Sequence, residues 1–364
     1  FTAPLRDLTD NCASAHYSFM LILANVKSAR EILSLSGPDL QRLTHLSKSD
    51  VQHLHAAVAV SYRRHSPVTA LQVHRGECPS LEPGHKLSLA CPVLDALLRG
   101  GVPLSGITEL AGESSAGKTQ FGLQLCLSVQ YPLAYGGLNS GAVYICTEDS
   151  FPIKRLRQLI TQQARLRPEL PQALIRSIRF SDNIYIEHAA DLACVSQRVP
   201  ILLSRGLVRL VVVDSVAALF RSEFQADEGI ERARHMLAFA ATLHHLSHNY
   251  STPVLCINQV GKNTLGELVD NKVLPALGMA WANQVMVRLM LRRLPGCVGT
   301  GEQGGTSAPR RLEVVFAPHL PRASCLCGVW EEGVRGLPNR PRSVTNSVTK
   351  RLETTGELGL NDGT

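Results

Sequence analysis

Gly112-Glu-Ser-Ser-Ala-Gly117-Lys118-Thr119 decides the reading of this chain. The stretch fits G-x-x-x-x-G-K-[ST], and in a chain of 364 residues a chance match is on the order of 1 in 100 at ordinary residue usage. Gly112 and Gly117 let the backbone curl so that successive N–H groups, those of Glu113, Ser114, Ser115 and Ala116 among them, turn inward on a phosphate. An apolar run, Ile107 to Ala111, leads in, and a helical stretch, Phe121 to Val129, leads out. The positive N-terminal end of that helix then faces the same anion. Lys118 reaches the β- and γ-phosphates, and the Thr119 hydroxyl ligates Mg²⁺. A coincidental Gly-rich turn falls far behind in that context.

Working outward, Leu210-Val-Val-Val-Asp214 is a hydrophobic strand that delivers a carboxylate beside the phosphate loop, where it orients the Mg²⁺ shell. Alone the pattern is weak, because many strands end in a helix-capping Asp. Glu148 follows the run Ala142 to Thr147 and faces the same crevice, where a carboxylate can polarise a water. Asp149 beside it is a rival on spacing alone. Asn258-Gln259, after Val254 to Ile257, offers an amide at another strand end, although an ordinary polar turn is the favoured reading of those two residues.

Short apolar runs alternate with helical stretches through Leu156 to Ala164, Val208 to Val213, Ile230 to Leu246 and Val254 to Ile257. Continuous apolar strands between helices predict an α/β core with a mostly parallel, doubly wound sheet. Val285 to Leu291 and Leu312 to Phe316 read as closing strands near its far edge. Upstream, residues 21–65 predict a small helical domain. Ser28 to Glu31 is a capping box, Gly37-Pro38 stops its helix, Leu40, Leu43 and Leu46 recur at helical spacing, and Ser47 opens a longer helix burying Val51, Leu54, Val58 and Ala59. That domain could bind DNA or serve as a protein contact or spacer. Residues 66–83 are a Pro-containing linker, 84–334 the core, and 335–364 a polar tail expected to be disordered. Phe1 in place of Met leaves residues 1–20 an uncertain N-terminal segment.

Net charge is +7, from 37 Lys+Arg against 30 Asp+Glu, which permits a polyanionic partner without a basic block to prove one. No apolar run approaches the ~20 residues of a membrane span, so a soluble, intracellular protein is expected. The 10 cysteines include no C-x-x-C pair, which argues against zinc or thioredoxin-type chemistry and for a reducing compartment. Cys126, Cys146 and Cys256 sit in apolar runs as small buried hydrophobes. His244 and His248 are i, i+4 on one helix but lack the Glu of H-E-x-x-H, so a solvated face is favoured. No G-x-S-x-G nucleophile elbow is present.

Leu89 to Leu98, Gly100-Gly101, Gly106-Ile-Thr-Glu109, the phosphate loop with Gln120, Tyr144 to Glu148, Val213 to Ser215 and Asn258 to Val260 occur in that order. Together they resemble the RecA-type recombinases of eukaryotes over about residues 81–334, and Cys91 to Arg99 with Asp214 to Ala218 resemble a specialised paralogue of that family. The resemblance implies a RecA-like P-loop ATPase core, ATP with Mg²⁺, Glu148 as catalytic glutamate beside Lys118, and Gln259 as nucleotide sensor. It implies that Arg155 stacks on adenine and that Pro318 to Pro321 caps a neighbour's nucleotide. It also implies two DNA-facing loops, about Arg221 to Arg234 and Gly261 to Leu274, with Arg221, Arg232, Arg234, Lys262 and Lys272 as candidate phosphate contacts. Solvated surface is an equal reading for each of these cations.

Two departures qualify the resemblance. Asp227, Glu228 and Glu231 make the first loop acidic. Pro67-Val-Thr-Ala70 stands where the family inserts a Phe-x-x-Ala segment into a neighbour, which removes an aromatic anchor. A defined complex with another recombinase paralogue is therefore expected in place of long filaments. The expected function is that of a weak DNA-dependent ATPase assisting homologous-recombination repair of double-strand breaks. It would work with the main strand-exchange recombinase on single-stranded and branched DNA, in the nucleus with the cytoplasm also open. A non-catalytic scaffold in which ATP stabilises an interface is the alternative. A small-molecule P-loop kinase would need an arginine-rich lid, and no such segment is evident.

Overall fold

In the computed structural model the described residues are 20, 21, 24, 26, 29–62, 69–75, 77, 84–188, 192–220, 229–261, 274–299 and 305–338. The chain divides into two compact units, Phe1–Gly84 and His85–Thr364.

In the first unit, α1 (Ala29–Ser34), α2 (Gly37–Thr44) and α3 (Lys48–Tyr62) close on Leu21, Val26, Ile32, Leu40, Leu46, Val51, Leu54 and Val58. Gly37-Pro38 opens α2 instead of merely ending α1. Ser36 is its N-cap, accepting from the Asp39 N–H at 3.3 Å, and proline is tolerated in a first turn because its missing N–H has no helical partner there. Ser47 caps α3 in the same way through Asp50, at 3.1 Å. Leu43 faces solvent at 48% exposure, so only Leu40 and Leu46 of that trio are buried. Ser28 lies outside the described residues. Within 66–83, Thr69 caps the five-residue helix α4 (Ala70–His74) through a capping box with Gln72, while Pro67 lies outside the described residues.

The second unit is built on a nine-stranded sheet. Its strands are β1 (Ile107–Gly112), β2 (Gly141–Cys146), β3 (Ile184–His188), β4 (Val208–Asp214), β5 (Val254–Asn258), β6 (Val287–Arg293), β7 (Arg310–Phe316), β8 (Ser324–Val329) and β9 (Val334–Gly336). The order is β9-β8-β7-β6-β1-β5-β4-β2-β3. From β6 to β3 neighbouring strands are parallel, and β7 to β9 continue antiparallel. Every residue of β1, β2 and β5 is buried, as strands covered on both faces require.

One face packs α5 (Pro92–Leu97) and α6 (Lys118–Ser128), with Phe121, Leu125 and Leu94 in its core. The other packs α8 (Leu192–Ser204) and α9 (Gly229–Tyr250), with Val199, Phe239 and Leu243. α7 (Ile153–Thr161) joins the first of these layers through Leu156 and Leu159, and α10 (Gly278–Ala282) follows β5. The mostly parallel α/β arrangement expected from the alternating runs is present.

Three details differ from the sequence reading. Of the two segments expected as closing strands, Val285 to Leu291 falls in β6, an interior strand parallel to β1, and Leu312 to Phe316 in β7, with β8 and β9 beyond both, so Arg335 and Gly336 belong to the sheet and not to the tail. Strand β3 and helix α8 went unread. The strand is short, and Pro200 stands inside α8, where a proline argues against a helix. Burial of Val195, Val199 and Leu203 at four-residue spacing overrides that penalty.

Candidate functional site

The carboxyl ends of β1, β4, β2 and β5 open into one cleft of about 1060 Å³, the usual ligand position in a parallel sheet. β1 ends at Gly112, opposite Leu291 of β6. A Cβ at Gly112 would stand 2.3 Å from the Leu291 carbonyl oxygen, so only glycine lets the chain turn there. Ser115 (φ 62°) and Gly117 (φ 106°) are left-handed, which curls the loop before α6 begins at Lys118. The Ala116 carbonyl accepts from Arg310 Nε at 2.7 Å, and Glu113 Oε1 accepts from the Arg293 N–H at 2.7 Å. The loop is thus braced from β7 and β6. Lys118 Nζ donates to the Gly112 and Glu113 carbonyls, 2.8 Å each. Burial lowers the Lys118 pKa, against the opposing pull of Asp214, Glu113 and Glu148.

At the end of β4, Asp214 Oδ2 accepts from the Thr119 hydroxyl at 2.7 Å and from the Tyr144 hydroxyl at 2.6 Å. Burial, and then the Asp214 charge, hold the Tyr144 pKa well above its ordinary value, so the phenol stays a donor. Cys146, on the same wall, is pushed up to about 11 by burial and Asp214. Beyond β2, Glu148 Oε2 accepts from Ser215 Oγ at 3.2 Å, and Gln259 Nε2 donates to Glu148 at 2.9 and 3.1 Å. The amide and the acid read separately in the sequence therefore touch. Asn258-Gln259 is no ordinary turn: Asn258 completes β5, and Val260–Gly261 pairs with Leu274–Pro275. Asp149 lines the cleft as well. Arg155 on α7 donates from Nε to Gln120 at 2.6 Å, and its Nη groups reach the Trp330 and Glu331 carbonyls at 2.5 and 3.0 Å.

The Rad51 family signature matches residues 85–337, the whole of this cleft. The chain belongs to the Rad51 family. Residues 18–61 match the XRCC3/RpoA-like helix-hairpin-helix domain, which agrees with the helices of the first unit. The chain is 54% identical over 329 residues to the DNA repair protein XRCC3 of Bos taurus, covering 86% of this chain and 93% of that protein. It is 32% identical over 286 residues to the XRCC3 homolog of Arabidopsis thaliana, covering 68% and 92%. It is 27% identical over 338 residues to the RAD51 homolog 2 of Homo sapiens, covering 85% and 83%. The resemblance to the eukaryotic recombinase paralogues holds.

In this Rad51-family chain Lys118, Thr119, Asp214, Glu148, Gln259 and Arg155 converge on the cleft, while Arg232 and Arg234 are not among the residues that line it. Arg234 is 74% exposed at its side chain and pairs with Glu231 at 3.4 Å, and Arg232 shares its helix turn. Arg221, Lys262 and Lys272 lie outside the described residues, as do Asp227 and Glu228. Pro318 to Pro321 forms the β7–β8 turn, anchored by buried Leu320. His244 Nε2 bonds the Gln284 carbonyl at 2.9 Å, and no cluster of three or more metal-ligating side chains occurs among the described residues. Among them, too, no helix is long and apolar enough to cross a membrane.

Sequence reasoning missed Tyr144, Arg310 and Trp330. A lone tyrosine in an aliphatic strand was a usable signal, since a buried phenol needs a partner. The other two carried none.

Proposed function

We propose that this chain is an ATP-binding recombinase paralogue acting in homologous-recombination repair of DNA, with slow, DNA-stimulated ATP hydrolysis. The observation that carries the reading is the joining of the phosphate loop, Asp214, Glu148 and Gln259 in one cleft, with Thr119 bonded to Asp214 and Gln259 to Glu148. The residues fit ATP with Mg²⁺. The left-handed backbone at Gly117 (φ 106°) disfavours any side chain, and a Cβ there would crowd Val329 and Arg310 at 3.2 and 3.3 Å. Thr119 and Asp214 are the oxygen donors that magnesium prefers.

When bound, the ion would neutralise charge on the β- and γ-phosphates. Lys118 and the loop N–H groups, Gly112 to Thr119, hold the phosphates. Tyr144 keeps Asp214 turned toward Thr119. Glu148 orients a water at the terminal phosphate and takes its proton. Gln259, bonded to Glu148, moves with that carboxylate, and Arg155 lines the base end of the cleft.

The kinship with XRCC3 and RAD51 homolog 2 supports a complex with another recombinase paralogue and assistance to the main strand-exchange recombinase on single-stranded and branched DNA. Arg221, Arg232, Arg234, Lys262 and Lys272 would be its phosphate contacts, and the nucleus its principal site of action.

ATP turnover by purified protein with and without single-stranded DNA, alongside Glu148→Gln, tests the reading. DNA-stimulated turnover falling about 10²-fold in the variant is the expected result. ATP binding with no DNA-responsive turnover would refute the hydrolytic part, leaving nucleotide as a stabiliser of a subunit interface.

A further inference from the structure

Glu109 lies on the central strand β1 and is wholly buried, beneath the cleft but outside its wall. A carboxylate placed there requires donors on every side. Oε1 accepts from Asn258 Nδ2 at 2.7 Å and from the Trp281 indole N–H at 2.9 Å. Oε2 is paired with the Arg288 guanidinium, which stands in register beside it on β6 and stacks over Phe316 at 5.2 Å. Arg288 alone would neutralise the charge, so the two remaining donors mean that the acid also orients what surrounds it.

The orientation that matters is that of Asn258. A carboxylate only accepts, so Glu109 forces the Asn258 NH₂ toward itself and the Asn258 Oδ1 away. Oδ1 is then free to accept from the Gln259 N–H at 2.8 Å, while Nδ2 also donates to the Ala276 carbonyl at 2.9 Å. Ala276 N–H in turn donates to the Gln259 carbonyl at 2.8 Å. One amide therefore grips Gln259 and Ala276, the residues that bracket the paired segments Val260–Gly261 and Leu274–Pro275. Gln259 carries the grip to Glu148 through its side chain. On the other side, Trp281 sits on α10 five residues beyond Ala276 in the chain and is wholly buried.

We propose that Glu109 is a positioning residue. Through Asn258 it sets Gln259 against Glu148 and ties both ends of the 259–276 segment to the centre of the sheet. The state of the nucleotide at Glu148 and Gln259 is thereby transmitted to Trp281. The anchoring part stands on geometry alone, and the transmission part rests on the nucleotide reading above.

The experiment has two arms on the full chain, using Asn258→Ala, which removes the relay while leaving the Glu109–Arg288–Trp281 contacts in place. In the first arm, without nucleotide, hydrogen exchange in peptides covering Gln259 and Ala276 should rise about tenfold or more, while the β4 peptide stays protected. Glu109→Gln should give the same local increase, and unchanged exchange at both amides in Asn258→Ala would overturn the anchor even where Glu109→Gln fails to fold. In the second arm, the two tryptophans are labelled with 5-fluorotryptophan and assigned by Trp281→Phe. The Trp281 resonance should differ between ADP·Mg²⁺ and a non-hydrolysable ATP analogue with Mg²⁺, and in Asn258→Ala that difference should vanish. Affinity for both nucleotides, measured by calorimetry, should stay within about threefold, with the loss of turnover appearing in kcat and not KM. A difference that survives Asn258→Ala, or none in the native chain while nucleotide is bound, would overturn the transmission. Absence of nucleotide binding in the native chain would instead refute the functional reading and with it the transmission, leaving the exchange arm to decide the anchor.

Discussion

Replacing Tyr144 by Phe removes one oxygen and tests how Asp214, the carboxylate proposed to support magnesium, is held. The lost hydroxyl donates at 2.6 Å to Asp214 Oδ2, and a hydrogen bond to a charged acceptor contributes about 1.5–3 kcal/mol. Two facts place the loss near the lower bound. The ring keeps its edge contact with Phe151, at 5.1 Å between centroids, and Asp214 keeps its bond from Thr119 at 2.7 Å. The variant should therefore lose about 1.5 kcal/mol of stability, and its melting temperature should fall by about 3–6 °C for a core of this size. Held by the Thr119 hydroxyl alone, Asp214 is less firmly aimed at the magnesium position. ATP turnover should then fall about tenfold, equivalent to about 1.4 kcal/mol, with a raised requirement for Mg²⁺.

Because burial keeps the Tyr144 hydroxyl protonated, both effects should be constant from about pH 6 to 9. The assays are chemical denaturation without nucleotide and a magnesium titration of ATP turnover. A double-mutant cycle with Asp214→Asn should return a coupling above about 0.5 kcal/mol. A native-like melting point, with no coupling and an unaltered magnesium dependence, would show that Tyr144 does not hold Asp214.

Gly117→Ala should leave the core folded but weaken it by about 1–2 kcal/mol, the cost of a left-handed non-glycine residue, and abolish tight ATP binding. Denaturation and calorimetry check this, and native affinity would count against the loop geometry. Lys118 supplies a pH test. Its folded pKa lies below the ordinary 10.5, so between the two values the unfolded chain binds more protons and stability rises with pH across that window. Lys118→Met should lack this contribution, so the native chain should gain on the variant as pH climbs toward 10.5; parallel stability curves would contradict it.

The phosphate loop was legible because its chemistry is written in consecutive residues, and the strand-to-helix alternation around it because burial on both faces demands unbroken apolar runs. Asp214 and Glu148 followed from a positional rule, the carboxyl ends of parallel strands. The meeting of Gln259 with Glu148 did not: as an isolated Asn-Gln pair it read as a turn, and only the proximity of the strand ends gives it a partner. Pro200 hid α8 for the opposite reason, since a local rule was outweighed by what the helix buries.

The sequence alone therefore settled the family and the core architecture, which rest on motifs and apolar runs recurring in order along the chain, and pointed to Gly112 to Thr119 through spacing within a few residues. What only the tertiary structure decided is which side chains hold those groups in place. Tyr144 and Asp214 are 70 positions apart, Glu109 and Asn258 149, and Arg310 and Ala116 194. No local propensity or period encodes such pairs. They form because the strand order sets β1 beside β5 and β6, and β4 beside β2, and because buried carboxylates, phenols and guanidinium groups must find partners where the folded chain brings them.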